Sequence, residues 1–345
     1  MAKQKKQLEY SYAADPNEFN LRFYRRYDEN FLFNKALALA MVLENEERFK
    51  AQAAEYQDVD PARINDKFFE SLRAEIHFTE MHQFEGFFAL LISVFQEQPA
   101  WIYLTDYTTG EMKDAIKLYI AGRTNIKTLT NNKVETEREF ISHAVYATYK
   151  PEGEMQDDTW DANLDNIAWL IRHMAERYIA GSEYNAYKHG LRVMTGQSSF
   201  GLRLENPPGT PVGPLRILAA SKDSLSYLEM KEKVMQPQQD NQTKQESEIE
   251  HDGAVQSSGK VKQGEEEKKQ IKVRRVYETT KHFNPQESLA YLTIMNQLLI
   301  TIKRTRLTYF DDGAVLEGLA DFSTFDKDQL LAIGAQSHFQ TSFSV

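Results

Sequence analysis

His189, with Asn185 one helical turn before it, is the residue pair in the sequence that is best equipped for chemistry. An unperturbed imidazole titrates near neutral pH, so it can take up or release a proton during a reaction. The amide of Asn185 can orient a substrate oxygen, and the cations Lys188 and Arg192 can hold a phosphate. These groups would suit metal-independent cleavage of RNA, in which a 2′-hydroxyl attacks the adjacent phosphorus. The alternative for a lone histidine on a helix is a packed residue without a catalytic role.

Three predicted helices each carry polar residues inside an apolar stripe. These residues are Glu80 and Gln83 in one helix, Asn185 and His189 in another, and Asn296 in a third. A buried carboxylate is costly unless it is paired, so we expect Glu80 to be bonded to a cation or a donor, or solvated in a cleft. If the helices face one another, Glu80 meets Asn185 and His189. The cluster is then either a site open to solvent or a closed hydrogen-bond network that fixes the packing.

Metal binding and nucleotide-dependent chemistry lack the necessary motifs. The chain holds His77-x-x-Glu80 and His82-x-x-Glu85, the reverse of the Glu-x-x-His order of dimetal bundles, and no second helix supplies a partner motif. The sequence also contains no cysteine, no Walker A loop, no Gly-x-Gly-x-x-Gly fingerprint and no Gly-x-Ser-x-Gly elbow. We therefore expect neither a metal nor a cofactor.

Helical periodicity predicts the elements that position these residues. Leu164 and Ile171 share one face, and Asn185 and His189 continue it, so residues 163–196 are predicted as a single helix whose second half is polar. Apolar spacing and strong helix formers predict further helices over residues 33–56, 62–98, 111–119, 134–149 and 285–307, with a short one at 326–333.

The period of the sequence changes after the proline-rich stretch 206–214. Residues 215–218, 224–230 and 271–280 have the composition of strands and predict a β-hairpin. Its connection, 236–270, has too few aliphatic side chains to offset chain entropy, which predicts a disordered insertion. The predicted organisation is therefore mainly α: a mobile basic N-terminus at 1–20, one helical-bundle domain with the hairpin over 21–235 and 271–310, the insertion, and a C-terminal tail at 311–345.

Composition limits the partners and the compartment. The net charge of −10 argues against a broad, nonspecific nucleic acid footprint and confines any such contact to a local cluster of cations. The longest apolar-rich runs, 86–96 and 288–302, are shorter than the roughly 20 residues that span a bilayer. With no cysteine and no apolar segment after the basic N-terminus, we expect a cytoplasmic protein that does not enter a membrane.

Residues 184–192 read Tyr-Asn-Ala-Tyr-Lys-His-Gly-Leu-Arg and resemble the Asn-x-x-Lys-His segment that lies late in a helix of HEPN-like bundles. The run 73–95, which contains Glu80, is similar to the long first helix of such bundles. Active HEPN ribonucleases resemble one another in an Arg-x(4–6)-His motif. Here, positions 182–184, where that arginine would precede His189, are Ser, Glu and Tyr, and Arg177 lies further upstream.

The resemblance implies a helical bundle that binds or cleaves RNA in a toxin or phage-defence setting. It implies a homodimer, with catalytic roles for His189, Asn185 and Glu80 and phosphate contacts from Lys188 and Arg192. Any enzymatic activity would be that of a metal-independent endoribonuclease. The alternative is a noncatalytic helical interaction module that uses the same surface to bind a protein partner or an antitoxin.

Overall fold

The structure is a computed structural model of the chain. It describes residues 15–56, 60–150, 156–188, 193–195, 198–202, 216–221, 223–235, 271–311, 316, 318–334 and 340–344. The predicted disordered insertion at 236–270 lies outside these residues, as do His189 and Arg192 of the predicted site.

Helices form most of the described chain, which confirms the mainly helical fold predicted from the sequence. The first eight are α1 (Pro16–Arg26), α2 (Phe31–Glu44), α3 (Glu46–Ala53), α4 (Asp66–Ser93), α5 (Ala100–Asp106), α6 (Thr109–Ile120), α7 (Arg123–Leu129) and α8 (Glu137–Tyr146). These are followed by α9 (Asp157–Ala180), α10 (Ser182–Lys188), α11 (Pro285–Phe310) and α12 (Lys327–Gly334). Within the described residues, none of these helices is long and apolar enough to cross a membrane.

Helix α4 lies at the centre of the bundle, with α2, α6, α9 and α11 packed against it. Asn65 caps its N-terminus by accepting a hydrogen bond from the amide of Phe68. From Ile76 to Ser93 almost every side chain of the helix is buried, as expected for a helix enclosed by others. The predicted helix over 62–98 is confirmed in its core and ends earlier than predicted, before Pro99.

The predicted single helix over 163–196 is wrong, because the chain bends at Gly181. Helix α9 ends at Ala180, α10 begins at Ser182, and residues Val193–Thr195 form a strand. Gly181 approaches α4 so closely that an added Cβ would lie 3.1 Å from the Met81 sulfur. A side chain at this position would press on Met81, so the close approach favours glycine. Helical periodicity does not detect the bend, since the polar face of α10 happens to continue the apolar face of α9.

The N-terminal region is more helical than predicted. Residues 16–20, placed in the predicted mobile N-terminus, belong to α1, whose N-cap Asp15 accepts a hydrogen bond from the amide of Asn17. The predicted helix over 33–56 is divided at Asn45 into α2 and α3. Helices α5 and α7 were not predicted, because seven residues are too few to show a clear period.

The predicted β-hairpin is confirmed and is part of a larger antiparallel sheet. Its strands, β4 (Ser224–Met235) and β5 (Ile271–His282), pair in a register that places Ser224 opposite His282 and Met235 opposite Ile271. Strand β1 (Val193–Thr195) pairs with β4, and β6 (Gln340–Ser344) pairs with β5, giving the order β1-β4-β5-β6. Strands β2 (Ser198–Leu202) and β3 (Arg216–Ser221) form a separate two-stranded sheet.

The chain after α11 packs on the bundle. Tyr146 of α8 donates a hydrogen bond to the carbonyl of Ala320 at 2.7 Å, and Asn163 of α9 accepts one from the amide of Phe322 at 2.7 Å. The Phe322 side chain is buried in the core. The region predicted as a tail, 311–345, thus contributes to the core over part of its length, and its predicted short helix is confirmed as α12.

Candidate functional site at the end of helix α9

A buried ion-pair network joins α4, α9 and the first turn of α11. Glu80 is fully buried. One of its carboxylate oxygens accepts a hydrogen bond from Arg177 Nε at 2.6 Å, and the other accepts one from Arg177 Nη2 at 3.3 Å. Arg177 Nη1 lies 3.0 Å from a carboxylate oxygen of Glu287. Ser288 donates its hydroxyl to Glu80 at 2.6 Å. Glu80 is therefore bonded to a cation and a donor, as expected from the cost of burying a carboxylate.

The network continues through His77 towards α10 and β5. His77 Nε2 lies 3.0 Å from Glu183, and its Nδ1 lies 3.4 Å from Glu80. Lys281, at the end of β5, donates to Glu183 at 2.8 Å and to the carbonyl of Ala180, the last residue of α9, at 3.4 Å. The bend at the α9–α10 junction is thus held by a strand lysine that bonds to both helices.

Charges in the network are matched. Burial by itself raises the pKa of Glu80, but Arg177 and His77 outweigh it and lower the pKa to about 2. His77 and Lys281 similarly outweigh burial at Glu183 and lower its pKa to about 2. Burial lowers the pKa of His77, but the two glutamates raise it above its ordinary value and favour the imidazolium. Three carboxylates, including Glu287, therefore face Arg177, Lys281 and a cationic His77.

A pocket of about 350 Å³ opens beside this network and is called here the histidine pocket. Three elements supply its histidines and cations: α4 supplies His77, α9 supplies His173 and Arg177, and β5 supplies Lys281 and His282. The other lining residues are Met81, Glu176, Ala180, Phe283 and Glu287. Its volume lies in the range of about 300 to 1,000 Å³ that is usual for small-ligand sites.

His173 and His282, the two partly exposed imidazoles of the histidine pocket, have different surroundings. His173 stacks on Trp169, one helical turn earlier, with ring centroids 5.1 Å apart and planes 9° apart. Burial lowers the pKa of His282 and is only partly offset by the carboxylate of Asp223, which favours the neutral imidazole. A neutral imidazole can accept a proton from a ligand bound beside it.

Arg177 and Lys281 line the pocket, and the glutamates that pair with them balance their charges. Each cation is held by glutamates, which fixes its position. A guanidinium and an ammonium each offer more N–H donors than these contacts use, so both can still donate to a ligand. The arrangement therefore offers N–H donors to the oxygen atoms of a ligand that lies beside the two imidazoles.

The predicted site residues are only partly brought together. Glu80 is in the network, but its partners are Arg177 and Ser288 instead of Asn185, which lies half-buried on α10. Asn296 bonds to the side chain of Asn30 at 3.1 Å, away from Glu80. His189 and Arg192 lie outside the described residues, so the roles predicted for them stay predictions.

Lys188, predicted to contact phosphate, lies on a different side of α10 from the histidine pocket. Its ammonium bonds to the carboxylate of Glu85 and, at 3.2 Å, to the hydroxyl of Thr109, and it lies 4.5 Å from the centre of the Tyr184 ring. Lys188 thus belongs to a second cluster of charged and aromatic side chains.

Sequence reasoning missed most of the histidine pocket. Arg177 was set aside because it lies too far before His189 to fit the expected motif. Lys281 and His282 directly follow the strand predicted over 271–280, and nothing in their local sequence pattern relates them to α9. The spacing His173-x-x-x-Arg177, which places both side chains on one face of a helix, is the signal that could have found two of the residues.

Comparison of the chain with protein-family models, with characterised proteins and with solved structures finds no match. Among the described residues, no three histidine, aspartate or glutamate side chains are grouped in a way that could hold a metal ion. Function must therefore be argued from the site itself.

Proposed function

We propose that the protein is an HEPN-like, RNA-directed protein that binds RNA at the histidine pocket and cleaves it without a metal ion. The observation that carries the proposal is the convergence of His173, Arg177, Lys281 and His282 on one cavity. The Arg-x(4–6)-His motif of HEPN ribonucleases likewise combines an arginine with a histidine. Here, Arg177 of α9 would act as the arginine of the motif. His173 precedes it in the sequence, so the order of the two residues is reversed.

The proposed reaction is a transesterification at a phosphodiester. His282 takes the proton from the 2′-hydroxyl, whose oxygen attacks the adjacent phosphorus. Arg177 and Lys281 stabilise the charge that develops on the phosphate oxygens. As the bond from phosphorus to the 5′-oxygen breaks, His173 donates a proton to that oxygen. The products are a 2′,3′-cyclic phosphate and a 5′-hydroxyl, and no metal or oxidant is needed for balance.

The network behind the pocket supports this assignment by holding Arg177 in place. Glu80 and Glu287 bind the guanidinium from two helices, so the cation is oriented before the ligand arrives. Such preorganisation is what lets a fixed charge favour a transition state, since little reorganisation remains at the moment of reaction. Glu80 is thus proposed as a positioning residue, in place of the catalytic role predicted from the sequence.

The experiment is incubation of the pure protein with end-labelled single-stranded RNA in EDTA. Loss of a positioned acid or base lowers the rate by about 10²- to 10⁴-fold, which is expected for His282→Ala and His173→Ala. His143→Ala is the matched control, because His143 is exposed on α8 and lies outside the pocket. His189→Ala tests the sequence prediction in parallel. Equal rates for the pocket variants and the His143 variant would overturn the proposal.

A second candidate function, a helical module that binds protein, is favoured by the outer face of α2. Phe31, Leu37 and Met41 are 63%, 43% and 60% exposed on a helix whose other face packs on α4 and α11. Large apolar side chains exposed together on one element are typical of interaction surfaces. Under this proposal the face would bind a second copy of the chain, the expected homodimer, or a protein partner such as an antitoxin.

A further inference from the structure

A second cluster of charged side chains surrounds Glu85, a buried residue of α4 that is 5% exposed. Lys188 of α10 bonds to one of its carboxylate oxygens. Thr109, the first residue of α6, donates its hydroxyl to the other oxygen at 3.2 Å and also contacts the Lys188 ammonium at 3.2 Å. The charge of Glu85 is therefore already satisfied by one lysine and one hydroxyl.

Lys113, one turn further along α6, brings a second ammonium to this cluster. It is partly buried, and its Nζ lies 5.8 Å from the centre of the Tyr178 ring. Within the described part of the chain, no carboxylate forms an ion pair with it. Burial lowers the pKa of Lys113, and Lys188 and Lys117 add to this effect against the opposing charges of Glu183 and Glu85. The cluster thus holds a partly buried lysine that forms no ion pair with any carboxylate of the described residues.

The balance of charge selects the kind of ligand. Lys113 and Lys188 together outweigh the carboxylate of Glu85, and Glu183, whose charge also reaches Lys113, is already paired with Lys281 and His77. A cationic ligand would therefore be repelled. An anion that reaches both ammonium groups gains two charge-assisted hydrogen bonds. It also relieves the repulsion between the two lysines. A phosphate has enough acceptor oxygens to bond both ammonium groups at once.

We propose that Lys113 and Lys188 form a phosphate-binding site beside Thr109, separate from the histidine pocket. Tyr178, on which Lys113 lies, directly follows Arg177 in α9, and consecutive residues of a helix point about 100° apart. The two sites therefore lie on different sides of α9. The phosphate is carried either by a nucleic acid strand or by a free phosphorylated small molecule, and the experiment distinguishes the two.

The test compares Lys113→Met with Lys117→Met in the full chain. Lys117 is an exposed residue of the same helix and pairs with Asp114 at 3.3 Å, which makes it a matched control. Binding is measured by calorimetry with inorganic pyrophosphate, and by fluorescence anisotropy with a labelled single-stranded oligonucleotide over a series of salt concentrations. Removing Lys113 takes away no ion pair that the described residues form, so this variant is expected to fold, and thermal unfolding checks this.

The expected result is that Lys113→Met weakens binding by about tenfold or more, while Lys117→Met leaves it unchanged. Lys113-dependent binding of pyrophosphate alone identifies a free phosphorylated molecule as the ligand. If binding of the oligonucleotide depends on Lys113, the ligand is a nucleic acid strand. In that case the slope of log binding constant against log salt concentration is smaller by about 0.7 in the variant. Equal affinities of the two variants and the wild type in both assays, or no binding in either, would overturn the proposal.

This proposal does not depend on the reaction proposed for the histidine pocket. His282→Ala is expected to keep full pyrophosphate affinity at the lysine site, whereas Lys113→Met is expected to lose it. If no RNA cleavage is found but pyrophosphate binding requires Lys113, the lysine site stands and the ribonuclease assignment fails. The opposite pattern would retain the ribonuclease and discard the lysine site.

Discussion

Replacing Arg177 with Met removes the cation that holds two buried carboxylates. Three of its nitrogens contact Glu80 and Glu287, at 2.6, 3.3 and 3.0 Å. Breaking a buried pair by removing one partner costs about 3 to 5 kcal/mol, because the remaining charge has lost its compensation. Glu80 would keep its hydrogen bond from Ser288 and the nearby imidazole of His77. The expected loss in free energy of unfolding is therefore about 3 kcal/mol, at the lower end of that range.

Equilibrium denaturation in urea measures this loss, with Arg138→Met as the control. Arg138 makes a comparable set of contacts to Asp161 and Asp165, but on the surface, where such pairs contribute about 1 kcal/mol or less. Without its cation, Glu80 should bind a proton more readily, so the difference between Arg177→Met and wild type should shrink as the pH falls towards 4. A loss no larger than that of Arg138→Met, or one independent of pH, would refute the role given to the network.

Two further predictions concern acid stability and assembly. Glu80 and Glu183 have pKa values held at about 2 against an ordinary value of 4.5, so both stabilise the fold above pH 4.5. This stabilisation is lost as the pH falls from 4.5 towards 2, and a fold equally stable in urea at pH 3 and pH 6 would contradict it. If the α2 face binds a second copy of the chain, sedimentation velocity should show a dimer for the wild type and a monomer for Met41→Glu. Leu331→Glu, at an exposed position of α12, should remain a dimer, and a monomeric wild type would exclude the dimer.

The long elements of the fold are predictable because each extends over many residues. Helices α4 and α11 contain long stretches of apolar residues and strong helix formers, and β4 and β5 have the composition of strands. The short helices α5 and α7 were missed for the opposite reason. Their positions are set by packing on the bundle, since seven residues carry little periodic information.

The candidate site was predictable in part. The cost of burying a carboxylate correctly predicts that Glu80 has a partner, but the identity of that partner depends on the tertiary fold. Arg177 reaches it from α9, and the chain then bends at Gly181, so Asn185 is carried on a separate helix. Lys281 arrives at Glu183 from a strand far along the chain. No local pattern relates these residues, because their proximity results from how the helices and the sheet pack together.

The most direct test of the central proposal is the rate at which the protein cleaves labelled single-stranded RNA in EDTA, measured side by side for His282→Ala and His143→Ala. The proposal predicts cleavage to a 2′,3′-cyclic phosphate that falls by about 10²-fold or more in His282→Ala and is unchanged in His143→Ala. A wild-type protein that neither binds nor cleaves the RNA, or a His282 variant that cleaves as fast as the His143 variant, would contradict it.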